Sequence, residues 1–585
     1  MYKYDCSFVS LRYLCALSIL AMHQSILVLI AGTAAAARQV SVSVNASHSL
    51  GPLPQIARFF GCDEPNEATQ PYGTALMSEL GQLGPAQTYF RTHNLLTTGD
   101  GSPRLKWGST NAYTEDAHGN PIYNWTILDS IFDTYLENNV KPYAQIGFMP
   151  KALSTHPDPY EFFFDPDSAY NSIYVGWSYP PTSYQSWGEL VYQWVKHSVE
   201  RYGKSELESW YWEVWNEANI PYWNGTEAEY FTLYDYAIDG LRRALPTARV
   251  GSPEVAGGGT AESGIWLQRF LQHTIDGKNS ATGKTGSPLD FISFHAKGSP
   301  TYVNATGSTP GHLQMNVSAA LHNVQDAFDV INGFPTRRHL PVVVGEDDPD
   351  GCAACESEAY NYRNGLVYPS YTAESFVRQL DLAAKANITL EGAVTWAFEY
   401  DNRSYYDGLR VLTTQGIDKP ILNIFRMFGK MTGDRVQASS TGQLSLRNVL
   451  NGSVQAEPDV GTLASFDHES NRIAVMIWHY HDDDLPKSDA DVTVDLGLPW
   501  NCTSAKLTHY RIDGDHSNSY SRWLEMGSPQ NPTVAQYSEL TAAGKLGTLG
   551  RPKDMRVQEG RAQVQFELPI HGISLLVVEP YEQTW

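Results

Sequence analysis

The sequence predicts a (β/α)8 TIM barrel with an appended C-terminal β-sandwich domain. Three observations carry this. Between about Gly51 and Gly433, short apolar runs of strand length alternate with helical patterns. The C-terminal ends of those runs collect polar and charged side chains while their bodies stay apolar, and barrel enzymes build their sites at those ends. From about Asp434 the helical patterns give way to short strands separated by turn residues, the texture of a sandwich. A chain of 585 residues is long enough for one large barrel plus a smaller domain.

In chain order, residues 1–37 come first. Lys3 and Arg12 flank an apolar run from Tyr13 to Ile30, and alanines fill 34–37. A basic start, an apolar middle and small residues before the cut predict a secretory signal peptide. The run is nearly long enough to span a bilayer, but Met22-His23-Gln24-Ser25 interrupts it. Residues 38–50 hold the strictly alternating Gln39-Val40-Ser41-Val42-Ser43-Val44-Asn45, a half-buried strand. It is expected to join the sandwich.

Residues 51–433 form the predicted barrel. Its strands are expected at Ile56–Gly61, Thr88–His93, Pro142–Phe148, Trp210–Asn216, Arg249–Ser252, Leu289–His295, Pro341–Glu346 and Gly392–Phe398. Helices are expected between them, for example over Ser186–Tyr202, Glu227–Ala244 and Tyr371–Ala386. Residues 434–585 form the predicted sandwich, with strands such as Ile473–Trp478, Val492–Asp495, Ala562–Leu568 and Ile573–Val578.

Composition excludes some functions. A formal charge of −23 and the absence of a basic stripe argue against nucleic acid, whose phosphates need a basic surface, and against anionic membranes. Asn-x-Ser/Thr sequons begin at Asn45, Asn124, Asn224, Asn304, Asn316, Asn387, Asn402, Asn451 and Asn501. So many sequons behind a signal peptide predict a secreted, extracellular protein with N-linked glycans. Past the signal the cysteines are Cys62, Cys352, Cys355 and Cys502, and four cysteines leave three pairings open.

The chemistry centres on Trp210-Tyr211-Trp212-Glu213-Val214-Trp215-Asn216-Glu217. A carboxylate at the mouth of an aromatic strand has its pKa raised by burial, which suits a proton donor. Glu346, ending the seventh strand, supplies a second carboxylate. Strands four and seven stand nearly opposite in an eight-stranded ring, so the two can face across one pocket. Glycoside hydrolysis needs such a pair, and a retaining enzyme sets them ~5–5.5 Å apart. The candidate sugar-binding residues are Asn216 beside the acid and Arg91, His93, His295, Lys297, Trp396 and Asp401 at or just beyond the other strand ends. His479-Tyr480-His481-Asp482-Asp483-Asp484 looks like a metal cluster, but its place before Leu485-Pro486 predicts a solvated hairpin tip. No Gly-x-Ser-x-Gly elbow and no His-Glu-x-x-His occurs, so serine hydrolase and zincin chemistry lack their nucleophile or metal. No metal or organic cofactor is expected.

Glu213-Val214-Trp215-Asn216-Glu217-Ala218-Asn219, together with Arg91-Thr92-His93, His295 and the trailing sandwich, resembles glycoside hydrolase family 39, which holds β-xylosidases and α-L-iduronidase. The resemblance implies Glu217 as acid/base and Glu346 as nucleophile. Ala218 departs from the family's usual proline. The segment Gly345–Cys355 departs from the usual xylosidase segment, and a Cys352–Cys355 clip is one candidate there. His295-Ala296-Lys297-Gly298 is more iduronidase-like, with Lys297 and Arg410 as candidate partners for a sugar carboxylate. The competing reading pairs Lys297 with an acidic neighbour such as Asp347 or Asp348. The function expected is a secreted retaining exo-glycosidase, a β-xylosidase acting on plant-derived oligosaccharides. The alternatives are a glycosidase for an arabinose-containing or uronate sugar, and a non-catalytic carbohydrate-binding barrel.

Overall fold

The computed structural model describes residues 37–164, 175–258, 261–307 and 309–581. The expected signal peptide therefore lies outside the described residues, apart from Ala37. Eight parallel strands close into a barrel: β1 (Phe59–Cys62), β2 (Thr88–Thr92), β3 (Val140–Ile146), β4 (Tyr211–Val214), β5 (Arg249–Val255), β6 (Phe291–Lys297), β7 (Val342–Asp348) and β8 (Leu390–Trp396). Each strand pairs with its sequence neighbours, and β8 closes on β1 through Val394–Phe59 and Trp396–Gly61. The chain is thus a TIM barrel with helices around it. Helices cover Tyr184–Tyr202, Glu227–Ala244 and Val367–Ala386. The second is started by a capping box between Thr226 and Glu229, which satisfies two backbone donors at its N-terminus.

Aromatic rings fill the barrel interior. Phe59, Tyr89, Tyr143, Tyr211, Phe291 and Trp396 pack there with Val343 and Val394. The barrel affords this because small residues face the rings. A Cβ on Gly251 would come within 2.1 Å of the Phe291 ring.

The C-terminal strands form one curled mixed sheet of ten strands. Its order runs Gly547–Thr548, Ser504–Ile512, Ile573–Pro580, Arg472–Tyr480, Asp459–Asp467, Asp434–Ser440, Arg38–Pro52, Ala490–Gly497, Arg561–Leu568, with Lys553–Arg556 added beside Ser504–Ile512. The N-terminal strand runs parallel to Ala490–Gly497 and antiparallel to Asp434–Ser440. Val40, Val42 and Val44 point inward from it. Leu507 and Leu576 near one end of the sheet share a core with Val564 and Phe566 at the other, so the two-layered character comes from one sheet folded over itself. Its middle strands are buried on both faces. Met476, Trp478 and Tyr480 join the barrel's core while Val475 and Ile477 join the sheet's, which accounts for the unbroken apolar run there. The edge strand Arg561–Leu568 alternates buried and exposed along its length.

Two expectations for this region need correction. Short helices do occur in it, at Leu446–Gly452, Ser519–Glu525 and Val534–Gly544. The last opens on a Thr533/Gln536 capping box, a signal present in the sequence. The His479–Asp484 stretch is solvated only at its end, where Asp483 is half-buried and Asp484 exposed. His479, His481 and Asp482 are buried: His479 Nδ1 meets the Leu568 carbonyl at 3.0 Å and Asp482 accepts from the Tyr480 hydroxyl at 2.9 Å. Packing of the sheet on the barrel covers His479–Asp482, which no local turn signal could reveal.

Candidate active site

The site forms where β4, β6 and β7 end. Past Val214 the chain turns sharply, with Trp215 at φ 68° and Glu217 at φ 45°. Side chains rarely adopt this left-handed region, and residues held in it tend to mark functional sites. The turn is tied on both sides. Trp215 N–H donates to the Ile146 carbonyl at 3.1 Å and its indole to the Tyr222 carbonyl at 3.0 Å. Glu217 N–H donates to the Glu254 carbonyl at 2.9 Å. Glu217 is left 9% exposed and Glu346 7%, so both are nearly enclosed yet reachable.

His295 joins the two carboxylates. Its Nδ1 stands 2.8 Å from Glu217 Oε1 and 3.9 Å from Glu346 Oε1. The two oxygens can be no farther apart than those distances laid end to end, which admits the ~5–5.5 Å of a retaining pair. Glu346 also takes Lys297 Nζ at 2.7 Å and Arg91 Nη1 at 3.2 Å, with His93 Nε2 at 3.7 Å. Burial works to raise its pKa. Lys297, His295, Arg91 and His93 outweigh burial and hold the carboxyl well below its usual range. Burial likewise opposes the charge on His295, yet Glu346, Glu217 and Glu254 push its pKa up to about 9. The arrangement therefore keeps an ionised glutamate beside a second glutamate, with an imidazolium between them.

Arg91 is the hub of the floor. It donates to Glu213 at 2.7 Å and to the Asn216 side-chain oxygen at 2.9 Å, and its guanidinium lies 4.9 Å from the Trp396 ring centroid. His93 is held by Asp63 at 2.8 Å and its ring sits 4.4 Å from that of Trp396. Trp396 Nε1 donates to Asp63 at 3.2 Å. Arg91, His93, Asn216, Glu217, His295, Lys297, Glu346 and Trp396 thus come together in one cluster. Asp401 stands outside it: its carboxylate accepts from Tyr72 N at 3.3 Å, at the start of the helix Pro71–Leu80.

The cations have partners within the chain. Lys297 bonds Asp348 as well as Glu346. Arg410 pairs with Asp348 at 3.2 Å and Asp350 at 3.4 Å. Asp350 is bound in turn by Arg363 at 2.7 Å. Beside this network Cys352 and Cys355 form a disulfide, while Cys62 and Cys502 are unpaired thiols.

Sequence reasoning missed Glu213, Glu254 and Asp63, whereas Asp348, offered there as a partner of Lys297, is the acidic neighbour that the lysine meets. Glu254 was hidden by Pro253, which reads as a strand end although β5 continues to Val255. Glu213 lay inside an aromatic strand where no charge is expected without a partner, and its partner Arg91 is 122 residues away.

The family described as "Glycosyl hydrolases family 39" matches residues 88–556. A β-xylosidase of Caldicellulosiruptor saccharolyticus is 27% identical over 427 residues, covering 72% of this chain and 76% of its own. An α-L-iduronidase of Mus musculus is 24% identical over 485 residues, covering 78% of this chain and 68% of its own. The crystal structure of a monomeric β-xylosidase from Caulobacter crescentus CB15 superposes with a TM-score of 0.71 at 20% identity, over 93% of this chain and 100% of that one.

Proposed function

The chain belongs to glycoside hydrolase family 39, and on that premise we propose that it is a secreted, N-glycosylated, retaining exo-glycosidase that removes xylose from β-xylosides of plant-derived oligosaccharides. The observation that carries the mechanism is the pair of carboxylates brought within reach of one imidazole. Glu346, kept anionic by its four basic neighbours, attacks the anomeric carbon. Glu217 protonates the departing oxygen, and a glycosyl ester forms on Glu346. Water then attacks that ester, with Glu217 taking its proton as base. Asn216, oriented by Arg91, is placed to bond the sugar 2-hydroxyl, an interaction that strengthens in the transition state.

One observation favours a neutral sugar over a uronate, since the relatives do not separate the two: those named β-xylosidases are 27% and 24% identical and one named α-L-iduronidase is 24% identical. Lys297 and Arg410, the candidate partners for a sugar carboxylate, are already neutralised by Glu346, Asp348 and Asp350, and binding a uronate would mean breaking those pairs. For export, Asn45, Asn124, Asn304, Asn387, Asn402, Asn451 and Asn501 are exposed, as glycan acceptors must be.

The test is turnover of aryl β-xyloside, arabinoside and iduronide by the purified protein and by Glu346→Ala. Xyloside cleavage by the wild type is expected, with turnover abolished in the variant and partly restored by azide, giving xylosyl azide of inverted configuration. A variant that still turns over removes Glu346 from the mechanism. Iduronide as the preferred substrate overturns the neutral-sugar reading, and no cleavage by the wild type favours the binding-barrel alternative.

A further inference from the structure

Among the buried carboxylates at the barrel mouth that take no part in the scheme above is Glu254. Glu254 is the penultimate residue of β5 and is fully buried. Its backbone is left-handed, at φ 51°, a conformation that a non-glycine residue holds only where its surroundings fix it. A glycine would suit that backbone better, so the side chain itself has work to do.

Strand pairing shows how it is placed. β6, which carries His295, is flanked by an irregularity on each side. Against β5 the register steps from Pro253–Ser293 to Val255–Phe294, leaving Glu254 as the extra residue. Against β7 it steps from Val344–Phe294 to Glu346–His295, leaving Gly345 as the extra one. Bulges of this kind re-aim side chains beside active sites. Here the two interlock: a Cβ on Gly345 would fall 1.8 Å from Glu254 Oε2 and 2.5 Å from its Cδ. The Glu254 carboxylate therefore lies against the bare backbone of Gly345, the residue before Glu346.

From there Glu254 reaches His295 from behind. Its Oε2 is 3.0 Å from His295 Nε2, close though not well aligned as a hydrogen bond, while His295 Nδ1 contacts Glu217 at 2.8 Å. Tyr143 donates to Glu254 Oε1 at 2.9 Å, and Arg91 Nη2 lies 3.8 Å from Oε2. The Glu254 carbonyl also holds the Glu217 backbone N–H at 2.9 Å. Resting on the hydrolase reading above, we infer that Glu254 is a positioning residue for the acid/base: it fixes the His295 ring from Nε2 so that Nδ1 holds Glu217 over the leaving oxygen. Burial opposes a charge on Glu254, but Arg91, Glu213 and His295 outweigh it and keep the carboxyl ionised. That makes it a lasting partner for an imidazolium.

Leaving-group dependence tests this. Glycosides with poor leaving groups need the acid, whereas 2,4-dinitrophenyl glycosides leave without it. Glu254→Gln is expected to lower kcat/KM for xylobiose by about 10–100-fold, with a change of less than about threefold on 2,4-dinitrophenyl β-xyloside. Adding Glu254→Gln to His295→Asn should cost nothing more than His295→Asn alone, because the first acts only through the second. Glu254→Gly, which accommodates the left-handed backbone, keeps the test available if the glutamine variant fails to fold. Equal losses on both substrates, or additive losses in the double variant, overturn the inference. If the wild type cleaves neither substrate, the hydrolase reading itself fails. If it cleaves both and Glu346→Ala is dead, a negative result at Glu254 bears on this inference alone.

Discussion

Replacing Lys297 by methionine isolates what keeps the nucleophile ionised. Lys297 Nζ lies 2.7 Å from Glu346 Oε2, with the two side chains 17% and 9% exposed, so solvent screens the pair weakly. At that separation and an effective dielectric of about 20, the Coulomb attraction is about 6 kcal/mol. Lys297 divides itself between Glu346 and Asp348, and Glu346 keeps Arg91, His93 and His295. The net effect is therefore nearer ~1–3 pKa units, or about 1.4–4 kcal/mol. In the wild type Glu346 sits well below the ordinary carboxylate range, so activity should persist as pH falls and fail only when that carboxyl finally takes a proton. Without Lys297 its pKa rises, protonation comes sooner, and the acid limb of kcat/KM for an aryl xyloside moves to higher pH by ~1–3 units. The alkaline limb, set by loss of the acid's proton, should stay near its wild-type position. Asp348 retains Arg410 at 3.2 Å, so the variant leaves no carboxylate there without a cation. An acid limb that does not move, in a folded and active variant, would refute the electrostatic account of Glu346.

Further expectations follow from packing. Gly345→Ala puts a methyl group into the Glu254 carboxylate; activity should fall by about 100-fold or more through displacement of the adjacent nucleophile, as read from kcat/KM on an aryl xyloside. Arg378, on the helix Val367–Ala386, joins Glu374 at 2.7 Å to Asp459 on the sheet, and the Trp478 indole donates to Glu374 at 2.7 Å. Arg378→Met strands those buried carboxylates and should cost ~3–5 kcal/mol in urea unfolding, with barrel and sheet melting together because their cores are continuous through Trp478.

Much of the fold was legible because periodicity is local. Each of the eight barrel strands lies within a few residues of an apolar run, and the helix Glu227–Ala244 matches its pattern from end to end. Pro253 looks like a terminator and makes β5 look short, yet the strand runs to Val255 and the missing N–H costs nothing where it bulges. The cysteine pairing stayed open in the sequence because connectivity depends on distance in space, and the chain settles it by bringing Cys352 and Cys355 to 5.5 Å between Cα atoms.

By itself, the sequence determined the barrel, the trailing strands and the two glutamates at strand ends, since each depends on residue type and short-range spacing. Only the tertiary structure decided which charges meet. It paired Lys297 and Arg410 with internal carboxylates, moved Asp401 away from the site, buried His479–Asp482, and set Glu254 behind His295. Ion pairs act over a few ångströms, and the partners here come from strands dozens to hundreds of residues apart, so no local pattern could assign them.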